Sequence, residues 1–167
     1  MKRILAIALA LTMVLTFAAC GKKPAEPKQP EPTKQTAANE YGFAYRGTEI
    51  AMHASAAPIL EALGEPKTYT EAASCAFSGL DKTYFYGSFY LTTYPNEDGD
   101  HVSGLWFVDD GVATPEGITI GSARADVVGA YGEFEGEFCT LKGDTSTLTI
   151  VVEGDNVSAV RYIANIE

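Results

Sequence analysis

The chain predicts an α+β domain in which two tandem helix-plus-antiparallel-strand units form one sheet, with helices on one face and the other face open. Three observations carry that expectation. Ile50-Ala51-Met52 followed by Ile59-Leu60-Glu61-Ala62-Leu63-Gly64 corresponds, 68 residues later, to Ile118-Thr119-Ile120 followed by Val127-Val128-Gly129-Ala130-Tyr131-Gly132. Asp100-His101-Val102-Ser103-Gly104-Leu105-Trp106-Phe107 corresponds, 55 residues later, to Asp155-Asn156-Val157-Ser158-Ala159-Val160-Arg161-Tyr162, so the order is kept. Both halves end in runs where apolar and polar residues alternate with a period of two.

Each element has a local cause. Ser55 and Ser122 are natural N-caps, Pro58 fits a first helical turn, and Gly64 and Gly132 stand where a left-handed C-cap is wanted, which gives two helices of two to three turns. Leu148, Ile150 and Val152 alternate with Thr147, Thr149 and Val151, and Glu153-Gly154-Asp155-Asn156 turns the chain into a strand over Val157 to Ile163. The first unit has the same plan, with strands over Ser88 to Tyr94 and Val102 to Val108 and a longer connection, Pro95 to Asp100.

The pleat then sorts the side chains. Leu148, Ile150 and Val152 face the helices, and by equivalence so do Phe89, Leu91 and Thr93, while Val160 and Tyr162 match Leu105 and Phe107. The opposite face carries Tyr86, Ser88, Tyr90, Thr92, Tyr94, Gly104 and Trp106 in the first unit, against Thr147, Thr149 and Arg161 in the second. Aromatic side chains on an uncovered sheet face bury much area at low entropic cost when a partner arrives, so Tyr86, Tyr90, Tyr94 and Trp106 are the expected partner-binding residues. Packing of the tyrosines and Trp106 on each other, or under a loop such as Gly79 to Thr83, is the plainer alternative.

Before the domain the chain reads as a leader and a tether. Lys2 and Arg3, an apolar run from Ile4 to Phe17, and small residues Ala18-Ala19 precede Cys20-Gly21. This resembles the signal peptide and lipobox of bacterial lipoproteins, with Phe17 where that pattern prefers Leu. The resemblance implies a signal peptide over 1–19, cleavage before Cys20, a covalent lipid on Cys20, and a cell-membrane location on the extracytoplasmic side. Residues 20–40 hold Pro24, Pro27, Pro30 and Pro32 among lysines and glutamates, with almost nothing apolar to bury. Polyproline II at about 3.1 Å per residue would make this a spacer of up to roughly 60 Å. Residues 41–167 remain as a single domain built of two repeats, about 41–110 and 115–167.

Charge separates the same segments. Tyr41 to Glu167 holds 6 basic against 19 acidic side chains, a net charge of −13, so nucleic acid and anionic lipid are not expected partners. The membrane is met through the lipid anchor alone.

The run Gly117-Ile118-Thr119-Ile120-Gly121-Ser122, leading to Asp126-Val127 and Tyr131-Gly132 and given twice in looser form, resembles the tandem helix-plus-sheet module of the β-lactamase inhibitory protein. The half-module is also similar to the small lipoproteins of the outer-membrane assembly machinery. The likeness spans most of residues 47–164, with His53 in place of Gly121 and Pro58 in place of Asp126 in the first copy. It implies a sheet face offered to a protein target, hence a protein-binding and inhibitor-like module. An envelope scaffold, for which anchor and spacer matter more than the face, is the alternative.

Cys75 and Cys139 each lie shortly after the helix of their own unit, and an exported domain folds where disulfides form. A bridge between them would close a loop of about 64 residues and contribute roughly 4 kcal/mol in the chain-entropy model. Two small buried thiols are the alternative. No enzyme is expected. Only His53 and His101 are available as bases, and neither lies in a nucleophile motif. Asp98, Asp100, Asp109 and Asp110 lack the spacing of a calcium loop, and Gly117 to Gly121 lacks the lysine of a phosphate loop, so neither metal nor cofactor is expected beyond the lipid.

Overall fold

The computed structural model describes residues 40–166; Cys20, the leader and nearly all of the spacer lie outside them. A short hairpin comes first, β1 (Phe43–Tyr45) and β2 (Thr48–Ile50), followed by α1 (Ala56–Leu63). Four strands follow, β3 (Thr68–Ala73), β4 (Leu80–Phe85), β5 (Phe89–Asn96) and β6 (Gly99–Phe107). After α2 (Arg124–Tyr131) come β7 (Phe138–Lys142), β8 (Ser146–Glu153) and β9 (Asn156–Ala164). Seven strands form one antiparallel sheet in the order β3-β4-β5-β6-β9-β8-β7, with β1 and β2 apart as a two-stranded sheet.

The expected α+β class, two helix-plus-strand units with helices covering one face, is overturned. Strands hold 46% of the structure and helices 13%. The reason is dimensional. Seven strands at about 4.8 Å spacing make a sheet roughly 29 Å wide, and an eight-residue helix is only about 12 Å long. The inner strands of eight or nine residues are about 30 Å long, so two such helices, each about 10 Å across, leave most of the sheet's area uncovered, and they supply only Ala56, Ile59 and Val127 to the buried set. The hairpin reaches the centre instead. Phe43 is 2% exposed and sets its ring against Phe89, Phe107 and Tyr162 at centroid distances of 5.4, 5.3 and 6.3 Å, so one side chain spans β5, β6 and β9. Ile50 and Met52 are buried beside it.

The inner strands follow the period-two pattern. Phe89 and Leu91 on β5, Leu105 and Phe107 on β6, Leu148, Ile150 and Val152 on β8, and Val160 and Tyr162 on β9 all join the core. The connection between β5 and β6 is shorter than expected, because Asn96 pairs with Gly99 and only Glu97-Asp98 turn. Gly64 and Gly132 close the helices at φ 75° and 92°, each donating its N–H to the carbonyl four residues back. The cap of α2 is shifted by one residue from Ser122. Ala123 holds that place, and its N–H donates to the Asp126 carboxylate at 3.1 Å.

The expected Cys75–Cys139 bridge is also corrected. Both thiols are free, Cys75 exposed and Cys139 buried. Cys75 follows β3 and Cys139 lies in β7, the opposite edges of the sheet. Six strand spacings, roughly 29 Å, separate those edges, whereas a disulfide needs Cα atoms within about 7 Å.

Candidate functional site

The face away from the hairpin carries the residues that alternate with the core. On β4, β5, β6 and β9, Phe85, Tyr90, Trp106 and Arg161 stand directly beside one another, because the register pairs Phe85 with Tyr90, Tyr90 with Trp106, and Trp106 with Arg161. The first three rings form a ladder: Phe85 and Tyr90 are stacked at 4.6 Å with planes 28° apart, and Tyr90 and Trp106 lie 5.4 Å apart at 32°. Each ring is half-buried by its neighbours, and Arg161 at the end of the row is exposed. On the same face Ile163 is 49% and Phe138 60% exposed. Thr68 extends the row on β3, and Thr149 and Thr140 extend it on β8 and β7.

One row further along the strands the face turns polar. Thr83, Thr92 and Gly104 are register neighbours on β4, β5 and β6. The Thr92 hydroxyl donates to the Gly104 carbonyl at 3.2 Å and accepts from the Ser103 hydroxyl at 2.9 Å. Gly104 has no room for a side chain, since a Cβ there would sit 3.1 Å from both Thr92 Oγ1 and the Tyr162 carbonyl oxygen. A further row along β5, Tyr94 stacks on Phe77 of the β3–β4 turn at 4.8 Å.

Of the four aromatics expected on this face, the structure gathers Tyr90 and Trp106 into the ladder and sets Tyr94 apart. Tyr86 is a correction. It lies on the core side, stacked on Phe89 at 5.3 Å, with its hydroxyl donating to the Gly64 carbonyl. The cause is the tight turn at Gly87-Ser88, where Gly87 takes φ 100° and the Tyr86 N–H bonds the Phe89 carbonyl. Across a hairpin, paired residues share a face, so Tyr86 follows Phe89. Phe85 was missed for the same reason, and the glycine at position 87 is the signal that locates it.

A histidine cluster flanks Tyr94. His53 sits at φ 63°, a left-handed conformation uncommon for a residue with a side chain, and its backbone pairs with Val102. The ring approaches the Thr145 carbonyl through Nε2 at 3.2 Å and the Tyr94 hydroxyl through Nδ1 at 3.0 Å. A carbonyl only accepts, so Nε2 carries the proton and, in the neutral ring, Nδ1 accepts from Tyr94. His101 has acceptors on both sides, the His53 carbonyl at 2.8 Å and the Asp98 carboxylate at 2.9 Å. Those two acceptors hold its pKa above the ordinary imidazole value, the carbonyl first and the carboxylate second. Nearby, Lys82 and Asp100 form an ion pair at 2.6 Å that raises the ammonium pKa.

No group of three or more His, Cys, Asp or Glu side chains able to hold a metal ion occurs among the described residues. None of their helices is long and apolar enough to cross a membrane. The chain matches no protein-family model, no curated protein and no solved structure. Its function is read from its own residues.

Proposed function

We propose that this chain is a membrane-anchored extracytoplasmic lipoprotein, held by lipid on Cys20 and a spacer over 20–40, that binds another exported protein through the ridge of Phe85, Tyr90 and Trp106. The observation that supports the binding role is the ladder itself, three half-buried rings in register on the sheet face away from the core, with Arg161 at its end. Trp, Tyr and Arg are the side chains that dominate interface energetics when desolvated. The ridge has a cation at each end on a strongly acidic domain, the Lys67 ammonium 6.0 Å over the Phe85 ring and Arg161 beside Trp106, so the partner it suits presents an apolar patch with carboxylates beside it.

The test is capture of an exported protein by the immobilised full chain. Trp106→Ala and Tyr90→Ala are each expected to weaken capture by about thirtyfold, the loss of roughly 2 kcal/mol at a hot spot. Capture unchanged by both overturns the reading. As a separate arm, Cys20→Ser should move the protein from the membrane to the soluble fraction; retention on the membrane rules out the anchor.

A further inference from the structure

The polar strip beside the ridge has a different chemistry, and it does not depend on the ridge's partner. Beside the Phe77–Tyr94 pair lies an open depression of about 310 Å³, lined by Thr83, Thr92 and Ser103 and, among its apolar residues, by Ala76 and Ile166. Tyr90 and Tyr94 stand four residues apart on β5, about 14 Å along the strand, so the hydroxyl row runs between two aromatic rows as a trough across the strands. Gly104 closes the row on β6, where Thr92 Oγ1 and the Tyr162 carbonyl oxygen take the space a side chain would fill.

The hydrogen-bonding capacity of the floor is only partly used. Thr92 spends its proton on Gly104 and one acceptor site on Ser103, which leaves an acceptor on each of these hydroxyls. Thr83 makes no side-chain hydrogen bond among the described residues. The charges at the rim are Lys82, already paired with Asp100, and the exposed Asp81. An anion would find no free cation in the trough and would meet a domain of net charge −13. A purely apolar chain would leave the row of hydroxyls without partners, at a desolvation cost.

We infer that this trough binds a neutral glycan strand, with the hydroxyls of Thr83, Thr92 and Ser103 exchanging hydrogen bonds with sugar hydroxyls and Tyr94 packing against the apolar C–H face of a pyranose ring. A polyhydroxylated neutral ring is the ligand class that presents both surfaces at once. Such ligands fit shallow sites where aromatic walls and a few placed polar groups converge.

The experiment titrates the full chain in detergent with three oligosaccharides: an N-acetylglucosamine hexamer, a glucose hexamer and a galacturonic acid hexamer. Calorimetry gives the affinity. Trp106, the single tryptophan, gives a fluorescence readout one row away. At least one neutral hexamer is expected to bind, and the anionic one to bind at least tenfold more weakly. Thr92→Val and Ser103→Ala should each reduce affinity on the order of fivefold, the worth of one hydrogen bond, without altering protein capture by the ridge. Circular dichroism checks that both variants fold, and Ser103→Ala serves alone if Thr92→Val does not. No binding of either neutral hexamer up to about 10 mM, equal binding of the anionic one, or indifference to the folded variants overturns the inference. Loss of protein capture on Trp106→Ala with glycan binding intact supports both sites; the same loss of capture with no neutral hexamer bound removes the trough and spares the ridge, and glycan binding with capture unchanged removes the ridge and spares the trough.

Discussion

Phe43→Ala is the sharpest test of what covers the sheet. Phe43 comes from a three-residue strand whose contribution would be negligible if the helices formed the covering layer, yet it is 2% exposed and meets rings on three strands. Truncation removes about 150 Å² of buried ring surface, which at about 25 cal/mol/Å² is a loss of about 4 kcal/mol. Core Phe→Ala changes cost about 3–5 kcal/mol, the same range, because a cavity left under a hairpin collapses only partly. A domain of this size has roughly 5–15 kcal/mol in all, so the variant should lose about a quarter or more of its stability and melt about 10–20 °C lower. Urea denaturation followed by circular dichroism measures the change, with Phe138→Ala, at a position 60% exposed, as the control expected within about 1 kcal/mol of wild type. A loss below about 1 kcal/mol for Phe43→Ala would show that the hairpin is peripheral and that the core closes without it.

Two further outcomes follow from titratable groups. His101 has a folded-state pKa raised above 6.5, so its contribution to stability is fully present below that value and is lost as pH rises through the folded one. The stability difference between wild type and His101→Gln should therefore shrink from acid to alkaline pH, read from urea midpoints across about pH 5–9, and a pH-independent difference refutes the double-acceptor geometry. Cys75 should react with a thiol reagent in the native protein, while buried Cys139, whose thiol pKa burial pushes up, should react only on unfolding. A Cys75–Cys139 linked peptide in the native digest would contradict the strand order.

Legibility in the sequence tracked how one-sided each element's environment is. The strands β5, β6, β8 and β9 lie inside the sheet with one face buried, so alternation marks them and assigns Phe89, Leu91, Leu105 and Leu148 to the core correctly. The edge strand β3 is exposed on both faces, and a strand without a buried face leaves no period to read. With β3 giving no period, β4 has no partner in the sequence pattern, and counting in twos back from Tyr90 through Ser88 carries Tyr86 onto the open face across the turn at Gly87. That single step put Tyr86 on the ridge and left out Phe85.

From sequence alone came the inner hairpins and their faces, the glycine stops of both helices, the acidity of the domain, and Tyr90 and Trp106 as face residues, because each depends on neighbours within a few positions along the chain. The covering layer, the separation of the two cysteines to opposite edges, the Phe85–Tyr90–Trp106 stack and the hydroxyl trough beside it were decided only when seven strands assembled in order. Those features are distances between residues far apart in the chain, and strand order, which no local pattern encodes, sets them.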